Sequence, residues 1–356
     1  MQQTPKFFPT AYQNLAADII ARVRDDRNTI VGSLYTQEKR GVSNLYVKSN
    51  IGAKRVSRFV GSETATETAS KRHDIETATA RARARRKDLS VLRKVGLLMT
   101  PMTSGRVIDA LSQFGLFNNG GVLIGTIAYQ AYQLTLGAAL PSTMLATDDA
   151  DLAAAHLALE ADMSPFAEGD RHNTNKQTDM LSILRHADSN FEAIPELDTR
   201  APSSRFRSAN GYSVDIVTPQ RSRDDKQPLS LPHLNAGATG LQYLAWLIDG
   251  AIPAALPYGS GIFVTVPDPT RFAIHKLILS EARTHDATKA IKDRMQARAL
   301  IEALQETSAG QLADAVVDAC EQGNRGWKIP LKRAVKAAWP EGDWDSIEAF
   351  ELIPVT

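Results

Sequence analysis

The stretch "STMLATDDADLAAA", residues 142–155, places Asp148, Asp149 and Asp151 within four positions, between apolar residues on both sides. Read as a strand or strand end, it sends alternate side chains to opposite faces, so Asp149 and Asp151 share a face and their carboxylates converge. Neighbouring anions repel, and in a half-buried place they need a compensating cation. Hard oxygen ligands at that spacing suit Mg²⁺, which keeps waters and binds through one or two carboxylates plus substrate phosphates. A surface turn or a cap holds such acids equally well.

Two neighbouring segments bear on the choice. "GGVLIGTIAYQAY" (120–132) reads as a buried strand that ends in Gly125-Thr126 at the start of a helix, where backbone N–H groups and the helix dipole favour a phosphate. "GYSVDIVTP" (211–219) is a second strand, with Asp215 alone among Val214, Ile216 and Val217. A carboxylate so placed either has a partner or lies on the solvent face of a half-exposed strand.

The order of apolar strand, Gly-Thr, helix, Asp-x-Asp and a lone Asp on a later strand resembles the nucleotidyltransferase fold of the DNA polymerase β-like superfamily. More narrowly, "LIGTIAYQAY", "TDDADLA", "YSVDIVTP", "GLQYLAWLI" and "VTVPDPTRFAIHKLILS" resemble a little-characterised bacterial branch of it, over about residues 30 to 300. The resemblance implies that Gly125 and Thr126 hold an incoming NTP, and that Asp149, Asp151 and Asp215 bind Mg²⁺ or Mn²⁺. Asp215 would also activate an acceptor hydroxyl, and Lys276 would neutralise a phosphate, with Lys289 and Lys292 next in line. Two features depart from the pattern: the spacing from Thr126 to Asp149 is long, and position 150 is a small Ala. Asp148 is extra, a strand-end cap or a support for its neighbours.

The N-terminal third is organised differently. "AYQNLAADIIARVRDD" sets Leu15, Ile19, Ile20 and Val23 on one helical stripe. Three β-rich runs near 33–37, 44–48 and 55–60, separated by "KRG" and "NIG", form an antiparallel meander. It interleaves Arg40, Lys48, Lys54, Arg55 and Arg58 with Tyr35, Tyr46 and Phe59, and is similar to the N-terminal part of the same branch. Residues 63–95 then read as a long polar surface helix, acidic first and basic later, with Arg81, Arg83, Arg85, Arg86 and Lys87 in its second half. The meander and this basic run suit a nucleic-acid surface, with cations for phosphates and rings for bases. An ordinary sheet with its aromatics turned inward is the competing arrangement. "EADMSPFAEGDRHNTNKQ" (160–177) is a polar loop beside the site, and from Pro267 onward three-to-four spacing marks successive helices, the first capped by Asp268 and opened by Pro269.

Composition bounds the rest. With 43% hydrophobic and 23% charged residues and a net charge of +1, the chain is an ordinary globular one without a global field for polyanions. The only cysteine, Cys320, excludes an intramolecular disulfide and a cysteine metal cluster, and no two of the seven histidines pair at zinc spacing within one segment. With no signal peptide and no apolar run approaching ~18 residues, the expected location is the cytoplasm, off the membrane. The expected architecture is α+β: an N-terminal helix plus antiparallel β-meander (1–117), a nucleotidyltransferase core with mixed β-sheet (118–266), and a C-terminal helical bundle (267–356). The expected function is metal-dependent transfer of an NMP from an NTP, ATP among the candidates, to a hydroxyl of RNA, tRNA or protein through the basic N-terminal region. A toxin of a toxin–antitoxin pair is one form such an enzyme takes. The alternatives are a non-catalytic nucleic-acid-binding protein that keeps the fold, and a nucleotidyltransferase for small, antibiotic-type molecules.

Overall fold

The computed structural model describes residues 4–141, 149–154, 179–198, 200–220, 228–283, 285–342 and 347–353. Asp148 and the polar loop 160–177 lie outside the described residues.

A short strand, β1 (Lys6–Phe7), leads into α1 (Thr10–Asp25), which buries Ala16, Ile19 and Val23. The meander follows as β2 (Ser33–Lys39), β3 (Val42–Ile51) and β4 (Lys54–Ser62), each longer than its β-rich run suggests. Arg40 and Gly41 both have positive φ, the left-handed pair that a tight two-residue hairpin requires. Helix α2 (Thr66–Lys94) covers one face of this sheet, where Ile75 packs with Leu45, Val47 and Val60. Its buried positions Ile75, Ala78, Ala82, Arg85, Leu89 and Leu92 recur in steps of three and four, so a helix polar nearly all round still packs along a narrow seam.

Two expectations about the basic residues change here. Arg81 Nη1 lies 3.1 Å from Asp26 Oδ1, and the buried Arg85 donates to Asp26 Oδ2 and to the Ser260 carbonyl. Both cations pair with a buried carboxylate that would be costly unpaired; Arg85 is thereby withdrawn from any nucleic-acid surface, while Arg81 stays more than half exposed. Arg58 likewise faces inward, and burial pushes its guanidinium down to about 10.

The chain then forms α3 (Met102–Gln113), β5 (Gly121–Ile124), α4 (Gly125–Thr135), β6 (Ala138–Ala139) and β7 (Asp149–Ala154). After α5 (Met180–Ala187) come β8 (Glu192–Ile194), β9 (Arg205–Arg207), β10 (Ser213–Pro219), β11 (Leu229–Leu231) and β12 (Ala236–Leu241). Together β5 and β7–β12 make one mixed sheet of seven strands, in the order β11-β12-β10-β7-β5 with β9 beside β10 and β8 beside β9. Strand β10 runs parallel to both β7 and β12, whereas β5 and β9 are antiparallel to their neighbours. Strand β12 is not expected from "AGATGL", which is poor in β-branched and aromatic residues; pairing with Val217–Pro219 imposes it. After α6 (Leu244–Ile248), β13 (Ile252–Leu256) and β14 (Ile262–Val266) pair with each other as a separate hairpin.

The helical C-terminal part comprises α7 (Pro269–Ala282), α8 (Ala287–Thr307), α9 (Ala309–Glu321), α10 (Ile329–Ala338) and the short α11 (Glu348–Glu351). Asp268 caps α7 as expected, its Oδ1 accepting from the Thr270 N–H at 2.8 Å. One apolar cluster runs from Ile51 through the sheet to Ile353, so meander, sheet and C-terminal helices share a core. Among the described residues no helix is long and apolar enough to cross a membrane.

Candidate active site

The register of three strands brings the acids together. Asp151 on β7 is directly opposite Asp215 on parallel β10, and Asp149 is opposite Ser213. On the other side, Ile124 at the end of β5 is opposite Asp151. The apolar residues between them, Ala150, Leu152, Val214 and Ile216, point into the core. The two-residue period therefore sends all three carboxylates to one face.

Gly125 begins α4 at φ +69°, and a Cβ placed on it would lie 2.5 Å from Asp151 Oδ2. Only glycine permits both the left-handed turn and this approach of backbone to carboxylate. Gly125→Ala is expected to destabilise the fold by about 1–3 kcal/mol and to displace the Asp151 carboxylate. Urea denaturation checks the first; a lower midpoint with an unchanged slope is the expected result.

Burial first, then the charges of Asp149 and Asp215, raise the Asp151 carboxyl to about 6, against the opposing pull of Lys276 and Arg283. Asp215 is held by Arg205, which faces it across the β9–β10 pair: Nε donates to Oδ1 at 2.6 Å and Nη2 to Oδ2 at 3.0 Å. This answers why Asp215 tolerates an apolar strand: it is only partly buried, and an exposed guanidinium grips both oxygens. Among the described residues, no three His, Cys, Asp or Glu side chains form a ready-made metal cluster. The donor chemistry nonetheless suits a hard divalent cation, with Asp149 and Asp151 sharing a face and Asp215 beside them, both of its oxygens taken by Arg205.

A cationic layer from the C-terminal helices lies close to the acids. Lys276 on α7 is buried, and its Nζ donates to Asp293 Oδ1 on α8 at 2.6 Å. Arg283 Nε donates to the other oxygen of Asp293, also at 2.6 Å. Lys276 is therefore not the free phosphate ligand the sequence suggested; it acts on Asp151 as a fixed positive charge behind the site. Lys292 is half-buried and feels Asp149; burial lowers its ammonium below the ordinary value, with Lys276 pushing the same way. Lys289 stands exposed on α8, 4.0 Å from Asp286. His275, fully enclosed beside Lys276, is pushed down to about 3 by burial and is neutral.

The sequence reading missed Arg205, Arg283 and Asp293. Arg205 had a partial signal in Asn210-Gly211, which marks "RFR" and "SVD" as a hairpin; a two-residue turn there would set Arg205 against Ile216, and the longer loop between Arg207 and Ser213 sets it against Asp215 instead.

With this geometry the comparison is specific: a family model described as nucleotidyltransferase matches residues 102–321, more than half of the chain. The chain belongs to this nucleotidyltransferase family. No curated protein matches the chain, and no solved structure does. In this nucleotidyltransferase the matched region begins with α3 and ends with α9, so it contains every acid and cation of this candidate site. The meander and α2 lie outside it.

Proposed function

We propose that this nucleotidyltransferase moves a nucleoside monophosphate from an NTP to an acceptor hydroxyl, at the face formed by Asp149, Asp151 and Asp215. The observation that carries the reading is the packing of Gly125 against Asp151 with Asp149 and Asp215 close enough to raise it. Three carboxylates so coupled, at the start of a helix, form a site for a cation and for the phosphates it accompanies. Asp149 and Asp151 would hold Mg²⁺ or Mn²⁺, which when bound neutralises charge developing on the transferred phosphoryl group.

The acceptor oxygen attacks the α-phosphorus, the bond from that phosphorus to the bridging oxygen breaks, and pyrophosphate leaves. Asp215, at the edge beside Arg205, takes the hydroxyl proton. Gly125 and Thr126 cradle the triphosphate, and Lys292 offsets its charge from α8. Lys276 and Arg283, tied to Asp293, keep the potential behind the acids positive.

The test is label transfer from α-³²P-labelled NTPs to total RNA, lysate protein and small-molecule acceptors, with Mg²⁺, Mn²⁺ or EDTA. Metal-dependent transfer from at least one NTP is expected. Absence of both transfer and metal-dependent nucleotide binding would sink the reading. The Arg205 clamp on Asp215 favours a second reading, a binding protein that keeps the fold without catalysis. Arg205→Gln separates them: tighter Mn²⁺ binding by calorimetry is expected as Asp215 is freed, with stability changed by less than about 1 kcal/mol because the pair is exposed.

A further inference from the structure

The outer face of the meander has no partner among the described residues and is built unlike an ordinary solvated sheet. Residues directly opposite one another across β2, β3 and β4 share a face, and one such row is Tyr35, Tyr46 and Phe59. Tyr35 and Tyr46 stack with centroids 5.5 Å apart, and Phe59 meets Tyr46 edge-on at 5.6 Å. Phe59 is 44% exposed, although the face behind it is covered by α2. Lys48 lies in the next row with its Nζ 4.6 Å from the Tyr35 ring centroid, and Arg55, opposite Asn50, follows in the row after.

The same hairpin ends at Ala53 and Lys54, which line a cleft of about 550 Å³ between the meander and the core. Arg106 of α3, Arg185 and His186 of α5, and Asn210 of the β9–β10 turn line its other walls. The acid among its lining residues, Asp188, is turned onto the Asn190 backbone and side chain. Neither Lys54 nor Arg106 has an ion-pair partner among the described residues. Arg55 is the last outer-face cation of β4, four residues or roughly 13 Å from Phe59, and Lys54 beside it turns to the other face at the end of the sheet, where the cleft begins. Asn210 is in turn five residues from Asp215, at most about 17 Å of chain.

We propose that this face and cleft hold a single-stranded nucleic acid, its bases on Tyr35, Tyr46 and Phe59 and its phosphates on Lys48, Arg55, Lys54, Arg106 and Arg185, and lead one end to the carboxylates as the acceptor. The acceptor role rests on the transfer reading given above; the binding does not. Rings stacked in a row on an exposed sheet take bases without regard to sequence, and a cationic cleft at the end of the row follows the backbone. The cations at the end of the row suit a polyanion better than a protein or a small molecule.

The experiment is fluorescence anisotropy of labelled single-stranded RNA and DNA of about 12 nucleotides. The full chain is used in EDTA without NTP, at salt between about 50 and 200 mM. Binding that weakens with salt is expected, with duplex bound less well than single strand. Tyr46→Ala and Phe59→Ala should each weaken it roughly tenfold, with circular dichroism unchanged. Arg106→Ala with Arg185→Ala should lower the slope of log affinity against log salt by about 1.4. The RNA and DNA arms say which strand is the acceptor, by which of them also receives label. If neither strand binds, or the aromatic variants bind as tightly as wild type, the proposal falls while label transfer to protein or small molecules leaves the transferase reading intact. Strand binding with no label transfer to any acceptor removes the acceptor role and the transferase reading together.

Discussion

Asp149→Asn and Asp151→Asn are each expected to lower nucleotidyl transfer by at least about a thousandfold. Asp151→Asn should at the same time make the protein more stable at neutral pH. Its carboxyl is raised from 3.8 to about 6, burial being the main cause. A carboxyl with a raised folded pKa costs nothing below its unfolded value, and the cost grows as pH rises from about 4 to 6. Above that range it reaches roughly 3 kcal/mol, since each unit is worth about 1.4 kcal/mol. An amide removes the charge and with it that cost. Thermal melts of wild type and Asp151→Asn at pH 7 and pH 4 should therefore diverge at pH 7 and converge at pH 4. A variant that keeps activity would show that Asp151 does not hold the cation. A variant less stable than wild type at pH 7 would show that the carboxylate is compensated in the fold, and the argument for a cation site would lose its footing.

The acids were legible in the sequence because they obey local rules. Asp149 and Asp151 are two apart in a strand, and Asp215 is the one charged residue amid "SVDIV"; a period of two and an apolar run need no knowledge of distant chain. Gly125 was legible for the same reason, as a strand running straight into a helix. What surrounds the acids was not. Asp293 meets Lys276 across seventeen residues because α7 and α8 pack as neighbours, and no spacing rule says which of several helical carboxylates lands there. Strand β12, made of Ala, Gly and Thr, exists because β10 has an edge to share. The basic residues of the N-terminal third were sorted only by burial, which sends Arg58 and Arg85 inward and leaves Lys48 and Arg55 outside. The family match spans the stretch that holds the acids, and it ends short of the meander where sequence alone left the aromatic face undecided.

The largest loss of stability is expected from Asp293→Ala. Asp293 is 3% exposed and accepts from both Lys276 and Arg283, and Lys276 is itself buried. Removing the carboxylate leaves an ammonium enclosed without its counter-charge, a change that costs about 3–5 kcal/mol. Arg283 is about a third exposed and reaches water, so Lys276 carries most of this cost. The double variant Asp293→Ala, Lys276→Met should therefore recover much of the lost stability, because a buried pair replaced by apolar atoms of similar size is often neutral. Denaturant melts of the two single variants and the double close the cycle, and an additive result would mean that the pair does not interact as its 2.6 Å contact implies. Activity should not follow stability in this cycle. Lys276 is one of the two cations that hold the Asp151 carboxyl down against its burial. With Met in its place that carboxyl rises further and competes less well for Mg²⁺ near neutrality. The double variant should fold well, yet need higher pH or more metal to reach wild-type transfer. A double variant with wild-type metal dependence would leave the ion pair a purely structural one.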